Sequence, residues 1–224
     1  MGTTRRAFLQ SAGVVSLLSG SVAHLAERDR RVVLAPKGKF IFAVSDISEC
    51  PGIPAGSVES YAVDVAGGKK LISRNSLSLS ATQPTHLALS PDGRFVVVAA
   101  FGGGIYNVLP VREDGVIGAV TQSVKEIGTG VHPQRQSSAH PHSVAFHPSG
   151  KFVIGTDFGS DRINVFEFQD GFMRCVQRVS TPPGSGPAHL SVSDSGSVIR
   201  VEYALTNSSS LYQFDSEKPW LNQI

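Results

Sequence analysis

The stretch Ser137–Gly150, SSAHPHSVAFHPSG, is the clearest indication of architecture in the chain, because it brackets a short apolar run with histidines and closes it with a turn. Residues 143–146 have the length and composition of a buried strand, and Pro148-Ser149-Gly150 is typical of a tight turn. The histidines are His140, His142 and His147. Their crowding leaves three alternatives: a metal site, a catalytic site, or a strand with packing histidines at its ends.

The same pattern recurs along the chain: a proline, a short apolar strand, a turn ending in glycine, and a second apolar strand. It is present at Gln83–Val96 and Gly186–Val198, and more faintly at Ala35–Phe42. The turn glycines therefore repeat at intervals of about fifty residues, which is typical of propeller blades rather than helical solenoids. We predict an all-β protein, a β-propeller of four-stranded antiparallel blades.

The third repeat divides into four strands that would make one blade. They are Ser143–Phe146, Phe152–Thr156, Ile163–Phe168 and Met173–Ser180. Because neighbouring strands are antiparallel, the start of the first strand and the end of the second share a rim. The residues expected on this rim are His140, His142, Asp157, Gly159, Asp161 and Arg162. His147, at the far end of the first strand, is expected on the opposite rim, so the histidines do not form one cluster.

These segments resemble the lactonase family of seven-bladed β-propellers, the family of the propeller-type 6-phosphogluconolactonase and of the eukaryotic muconate-lactonizing enzyme. The resemblance is carried by Ala139–Phe152 and Thr156–Ile163. The family's repeated Gly-Pro-Arg-His pattern is similar to Gly186–Val198 and, weakly, to Gln83–Val96. The resemblance implies hydrolysis of a sugar lactone, or its reversal, at a rim pocket of the central channel, without a metal or cofactor.

The resemblance also implies three pocket groups, of which this chain retains one. The histidine of the His-Pro-His segment is His142, with His140 beside it. The family's arginine and glutamate fall on Ala188 and Ala204, and Glu202 lies two positions before the latter. Arg162, Arg200 or Glu202 could substitute for the missing groups.

Opening a lactone needs a base for the attacking water and a donor or cation for the oxygen that becomes negative. Histidine can serve as that base near neutral pH. The expected catalytic residues are His142, His140 and Glu202. The expected substrate-binding residues are Asp157, Asp161, Arg162 and His189.

Other interpretations remain open from the sequence alone. The two missing groups are compatible with weak or lost activity, and with a non-catalytic exported propeller that binds a sugar or a protein. A zinc site is conceivable from His132, His140, His142 and Asp157. A structural role is favoured over zinc, with His140 and His142 bonding loop backbone, and with His86 and His189 packing between blades. No motif in the sequence indicates which lactone would be the substrate.

Residues 31–215 supply about four blades, whereas the family's ring has seven, and residues 216–224 have no place in the repeat pattern. In a closed ring each blade covers the apolar faces of its neighbours, so four blades leave two faces open. Copies of the chain could associate through those faces.

Residues 1–30 have the order of a twin-arginine export signal, with Arg5-Arg6 ahead of an apolar segment and small residues. The apolar segment is too short and too glycine-interrupted for a membrane anchor, so we expect an exported, periplasmic protein. The net charge is only +2 and the sequence has no block of basic residues, which argues against a nucleic-acid partner. Export would permit a disulfide between Cys50 and Cys175, although their spacing favours two unpaired cysteines.

Overall fold

The computed structural model describes residues 31–35, 38–47, 55–64 and 70–224, which form four four-stranded antiparallel sheets. The first sheet comprises β1 (Arg31–Leu34), β2 (Phe40–Ile47), β3 (Ala55–Asp64) and β4 (Lys70–Ser78). The second comprises β5 (Pro84–Leu89), β6 (Phe95–Ala100), β7 (Ile105–Pro110) and β8 (Gln122–Lys125). The third comprises β9 (Pro141–Phe146), β10 (Phe152–Asp157), β11 (Arg162–Gln169) and β12 (Phe172–Ser180). The fourth comprises β13 (Pro187–Val192), β14 (Val198–Tyr203), β15 (Ser208–Asp215) and β16 (Trp220–Gln223).

Each sheet is a simple meander, in which the strands lie side by side in chain order. The predicted all-β propeller of four-stranded blades is confirmed. Residues 216–224, which the repeat pattern left unassigned, contain β16, and this strand pairs with β15 as the outer strand of the fourth sheet. The export signal and Cys50 lie outside the described residues. The described residues contain no helix with the length and apolarity needed to cross a membrane.

The sheets stack on one another through apolar cores, one at each junction between successive sheets. Alternation along the central strands produces this arrangement, since successive side chains leave opposite faces. In β10, Val153 packs towards the second sheet, and Phe152 and Ile154 pack towards the fourth. Full burial of each such side chain stabilises the fold by about 1.5–3 kcal/mol. The first strand of each sheet lies at the inner edge, where β9 contacts both β5 and β13.

The inner strands β5, β9 and β13 begin with the same irregularity. Each opens on a proline and then leaves one residue without a partner in the ladder, at Thr85, His142 and Ala188 respectively. Such a β-bulge redirects the side chain of the extra residue and occurs often at functional rims. The position that carries His142 in the third sheet therefore carries Ala188 in the fourth.

The face of the fourth sheet that points away from the third is polar. Arg200 and Ser209 occupy the places that Ile154 and Ile163 hold in the third sheet, as the ladder registers show. Leu211 on this face is 46% exposed. The Arg200 guanidinium and the Glu202 carboxylate lie 3.9 Å apart on this face, and covering these charges with an apolar sheet would cost about 3 kcal/mol or more. Self-association through this face would therefore require a polar partner surface for Arg200.

Amide side chains of outer strands tie each sheet to the next. Gln177 of β12 accepts a hydrogen bond from the Leu221 N–H at 2.7 Å and donates to the Leu221 carbonyl at 3.2 Å. Gln122 of β8 bonds the Met173 backbone in the same two-way manner, with distances of 2.6 and 3.0 Å. The side chain thus extends the hydrogen-bonding of one sheet across the junction.

We expect Gln177→Ala to lower the free energy of unfolding by about 1–3 kcal/mol, because it removes both partners from the buried Leu221 backbone. Urea unfolding followed by circular dichroism measures the change. Gln213→Ala is the matched control, since Gln213 is an exposed glutamine of β15, and it should change stability by less than about 0.5 kcal/mol. Equal stabilities of the two variants would show that the amide bridge contributes nothing.

Candidate functional site

His142 lies at the bulge of β9, half-buried, among aromatic rings that come from three sheets. Its ring centroid is 6.0 Å from Phe101 after β6, 6.2 Å from Phe158 after β10, and 5.0 Å from His189 in β13. The His142 and His189 rings meet edge to face, with an interplanar angle of 86°. We call this group of Phe101, His142, Phe158 and His189 the mouth.

His140 is held beside the mouth by contacts that use both of its ring nitrogens. Its ring stacks on Phe101 with a centroid distance of 4.2 Å, and its Nδ1 lies 2.9 Å from the Phe101 carbonyl oxygen. A carbonyl oxygen only accepts, so Nδ1 carries the hydrogen in this contact and Nε2 faces the Ser138 hydroxyl at 3.4 Å. The contacts suit His140 to positioning Phe101 rather than to acting as a base.

Asp157 organises the loop that carries Phe158. The residue is fully buried, and its Oδ1 accepts hydrogen bonds from the backbone N–H groups of His140 at 2.7 Å, Gly159 at 3.0 Å and Ser160 at 3.2 Å. The Ser160 hydroxyl donates to Oδ2 at 2.5 Å. Both oxygens are therefore taken up by the chain itself. This geometry does not support the expected contact between Asp157 and a substrate.

Asp161, at the end of the loop that follows Asp157, also accepts hydrogen bonds from neighbouring segments of the chain. Its Oδ1 accepts from Gln136 Nε2 at 2.7 Å and from the Gly186 N–H at 2.8 Å, and its Oδ2 accepts from the Gly184 N–H at 2.7 Å. Gln136 is itself fully buried and also donates to the Phe158 carbonyl at 2.9 Å. Asp161 therefore joins three loops of this rim and, like Asp157, is placed for support of the backbone rather than for substrate contact.

Arg162 points towards the outer part of the rim. Its Nη1 donates to the carbonyl of Ile127 at 3.3 Å, in the segment that follows the outer strand β8. Glu126 in the same segment is buried, which raises the pKa of its carboxyl, and Arg178 at 3.5 Å partly opposes that rise. These contacts place Arg162 at the outer segment rather than among the rings of the mouth.

His189 and Glu202 stand opposite each other in the β13–β14 ladder, so their side chains leave the same face. They line a cleft of about 360 Å³ on the outward face of the fourth sheet. Ala188 and Ala204, where the family pattern has arginine and glutamate, line the same cleft, and so does Arg200. The Arg200 Nη2 lies 3.9 Å from the Glu202 carboxylate. The two small residues and their two charged neighbours therefore meet in one place, next to His189.

Sequence reasoning did not identify Phe101, Phe158, Gln136 or Arg135 as site residues. Phe101 opens the Phe-Gly-Gly-Gly turn, and a Cβ on Gly102 would lie 2.1 Å from Thr82 Oγ1, which explains the need for glycine in this turn. Arg135 is exposed, and its guanidinium carbon lies 5.0 Å above the Phe158 ring. Its loop carries no periodic pattern, so only the three-dimensional contacts connect Arg135 to the mouth.

The structure brings no group of three or more His, Cys, Asp or Glu side chains into metal-binding proximity within the described ranges. The residues considered for zinc have other contacts. His132 Nδ1 accepts from the backbone N–H of Arg135 at 3.2 Å, and His140 and Asp157 are engaged as described above. His147 lies elsewhere, packed on Phe214 with a centroid distance of 5.2 Å, which accords with the opposite rim.

Comparison with known proteins gives a consistent result. A family model described as "Lactonase, 7-bladed beta-propeller" matches residues 18–224. A 6-phosphogluconolactonase of Bacillus subtilis is 29% identical over 135 residues, which are 60% of this chain and 38% of that protein. The crystal structure of a periplasmic gluconolactonase of Pseudomonas aeruginosa is 30% identical with a TM-score of 0.78, covering 88% of this chain and 56% of that one.

A further structure, of a protein from Lactobacillus plantarum, matches with a TM-score of 0.76 at 22% identity, which bears on the fold alone. It covers 87% of this chain and 54% of the other. The chain thus spans between 38% and 56% of the length of these relatives.

Proposed function

Because the chain belongs to the lactonase family of seven-bladed β-propellers, we propose that it opens a sugar lactone by attack of water at the mouth. The observation that carries the proposal is the pair of imidazoles, His142 and His189, whose rings lie 5.0 Å apart at the bulged rim. Two relatives are a 6-phosphogluconolactonase and a gluconolactonase, which supports gluconolactones as the substrate class.

In the proposed reaction His142 takes a proton from water, and the water oxygen attacks the lactone carbonyl carbon. The carbonyl oxygen becomes negative and accepts a hydrogen bond from an N–H of His189. The bond between the carbonyl carbon and the ring oxygen then breaks, and the ring oxygen takes the proton from the His142 imidazolium. The product is the open hydroxy acid, so the lactone and one water are fully accounted for.

Glu202 has a supporting role in this proposal. It stands opposite His189 in the ladder, and in the proposed reaction its carboxylate accepts a hydrogen bond from the ring nitrogen of His189 that faces away from the substrate. Such a bond would fix the tautomer and the direction of the donating N–H. The apolar faces of Phe101 and Phe158 would pack against the C–H face of the sugar ring and exclude water from the reacting carbonyl.

We also propose that the protein works outside the cytoplasm. The twin-arginine type sequence at residues 1–30 and the likeness to a periplasmic gluconolactonase both favour export.

We expect the chain to hydrolyse D-glucono-δ-lactone and 6-phosphoglucono-δ-lactone faster than they open spontaneously, so that acid forms at a higher rate. A pH-stat records the acid formed, and the rate should saturate with substrate and scale with protein concentration. Heat-unfolded protein at the same concentration is the control for non-specific catalysis. Rates equal to the spontaneous hydrolysis for both lactones would overturn the proposal.

A binding protein without catalysis is the second candidate, and Ala188 and Ala204 favour it. Loss of a donor that stabilises the oxyanion typically slows a reaction by about 100- to 1,000-fold. Calorimetry with gluconate separates the two candidates. Saturable binding of gluconate together with lactone hydrolysis at the spontaneous rate is the result expected of a binding protein.

A further inference from the structure

Arg135 stands on a loop whose position is fixed although the side chain itself is exposed. The next residue, Gln136, is fully buried and donates to the Phe158 carbonyl at 2.9 Å and to Asp161 at 2.7 Å. Gln136 also accepts from the His132 N–H at 3.0 Å, and its carbonyl accepts from the Gly130 N–H at 2.9 Å. The backbone on either side of Arg135 is therefore anchored to the rim.

The guanidinium of Arg135 shares an aromatic neighbour with the imidazole of His142. Its carbon lies 5.0 Å from the centroid of Phe158, and the same ring lies 6.2 Å from His142 and 5.7 Å from Phe101. A cation over a ring face is held in direction while its N–H groups remain available at the edge. Arg135 is therefore positioned at the border of the mouth.

The charge of Arg135 is not neutralised within the part of the chain that the structure describes. The cations around the mouth that the structure describes already have partners. Lys125 Nζ donates to the Gly103 carbonyl at 2.5 Å, and Arg162 donates to the Ile127 carbonyl at 3.3 Å. Arg178 pairs with Glu126 at 3.5 Å, and Arg200 lies 3.9 Å from Glu202. The nearby carboxylates of Asp157 and Asp161 are buried and saturated by other donors. An anion arriving at the mouth thus meets an unpaired guanidinium.

We infer that Arg135 is a specificity-determining residue that binds an anionic substituent of the lactone, such as a phosphate ester, remote from the reacting carbonyl. A guanidinium presents two parallel N–H donors to a phosphate, and such charge-assisted bonds are about twice as strong as neutral ones. The inference rests on the proposed lactone hydrolysis, and it assigns to Arg135 the preference between charged and neutral lactones.

The test compares kcat/KM for 6-phosphoglucono-δ-lactone and D-glucono-δ-lactone in the unsubstituted chain and in Arg135→Gln. We expect kcat/KM for the phosphorylated lactone to fall by about 10- to 100-fold, and that for the neutral lactone to change by less than about threefold. Arg135→Lys should recover part of the loss, because it keeps the charge but not the fork of donors.

Arg94→Gln is the matched control. Arg94 lies 5.4 Å over the ring of Phe95, a contact of the same kind, but in the turn between β5 and β6 at the other end of the strands. The Arg94→Gln substitution should leave the ratio of the kcat/KM values for the two lactones unchanged. An equal loss for both lactones in Arg135→Gln, or no loss for either, would overturn the role of Arg135.

Calorimetry keeps this inference separable from the hydrolysis itself. If the unsubstituted chain opens neither lactone, the proposed hydrolysis fails, and the affinities for 6-phosphogluconate and gluconate then decide the role of Arg135. Weaker binding of 6-phosphogluconate alone in Arg135→Gln supports anion recognition. Identical affinities in both proteins refute it.

Discussion

His142→Ala is expected to open D-glucono-δ-lactone about 100- to 10,000-fold more slowly than the unsubstituted chain, because a positioned base typically contributes that factor. The ring removed is half-buried and lies 5.0 Å from His189. Without the imidazole of His142, no base takes the proton from the attacking water, while the other three rings of the mouth are retained. The pH-stat assay at saturating lactone measures kcat, and circular dichroism with urea unfolding establishes that the variant is folded.

His147→Gln is the contrasting variant. His147 is buried, packs on Phe214 and Phe152, and its Nδ1 lies 2.8 Å from the Ser149 hydroxyl. Its loss should lower the free energy of unfolding while kcat of the folded protein stays the same, since it lies far from the mouth along β9. A kcat for His142→Ala equal to that of the unsubstituted chain would exclude His142 as the base. A fall in kcat of equal size in His147→Gln would show that the assay reports stability instead of chemistry.

The arrangement of strands and rims could be predicted because it depends on local features of the chain. The turn of Pro148-Ser149-Gly150 and the alternation in residues 163–168 fix where strands begin, end and face. Antiparallel pairing then brings the start of β9 next to the end of β10, as the bond from the His140 N–H to Asp157 shows. These relations involve residues close in sequence, so one chain is enough to derive them.

The roles of the carboxylates could not be derived in the same way. An aspartate in a Gly- and Ser-rich loop is equally compatible with substrate binding and with support of the backbone. Asp161 is saturated by Gln136, Gly184 and Gly186, which lie more than twenty residues away in the chain on either side. Such partners follow from the stacking of sheets, which no local pattern encodes.

The aromatic wall of the mouth was missed for the same reason. Phe101 follows β6 of the second sheet, Phe158 follows β10 of the third, and His189 lies in β13 of the fourth, so the wall exists only after three sheets have stacked. The sequence does contain one signal for this wall, the proline that precedes the bulge in each inner strand. Thr85, His142 and Ala188 each follow a proline at the start of an inner strand, and aligning the repeats at these prolines places His86 and His189 one residue beyond the bulge.

Asp157→Ala is expected to lower the free energy of unfolding by about 3–5 kcal/mol, a large share of the 5–15 kcal/mol typical of a domain. The substitution leaves the N–H groups of His140, Gly159 and Ser160 without their common acceptor in a fully buried position. Because those N–H groups fix the loop that carries Phe158, the activity of the mouth should fall as well.

Asp157→Asn separates the acceptor geometry from the negative charge. The remaining amide oxygen can still accept the three backbone bonds of Oδ1, and the amide NH₂ can donate to the Ser160 hydroxyl, which is able to accept. We therefore expect the asparagine variant to lose only about 1 kcal/mol, because the hydrogen bonds are kept but their acceptor is no longer charged. Urea unfolding compares the three proteins, and hydrogen exchange of the His140, Gly159 and Ser160 amides locates the effect. Fast exchange of these amides in Asp157→Ala alone is the expected pattern, whereas an asparagine variant as unstable as the alanine variant would assign the role to charge rather than to the geometry of the acceptor.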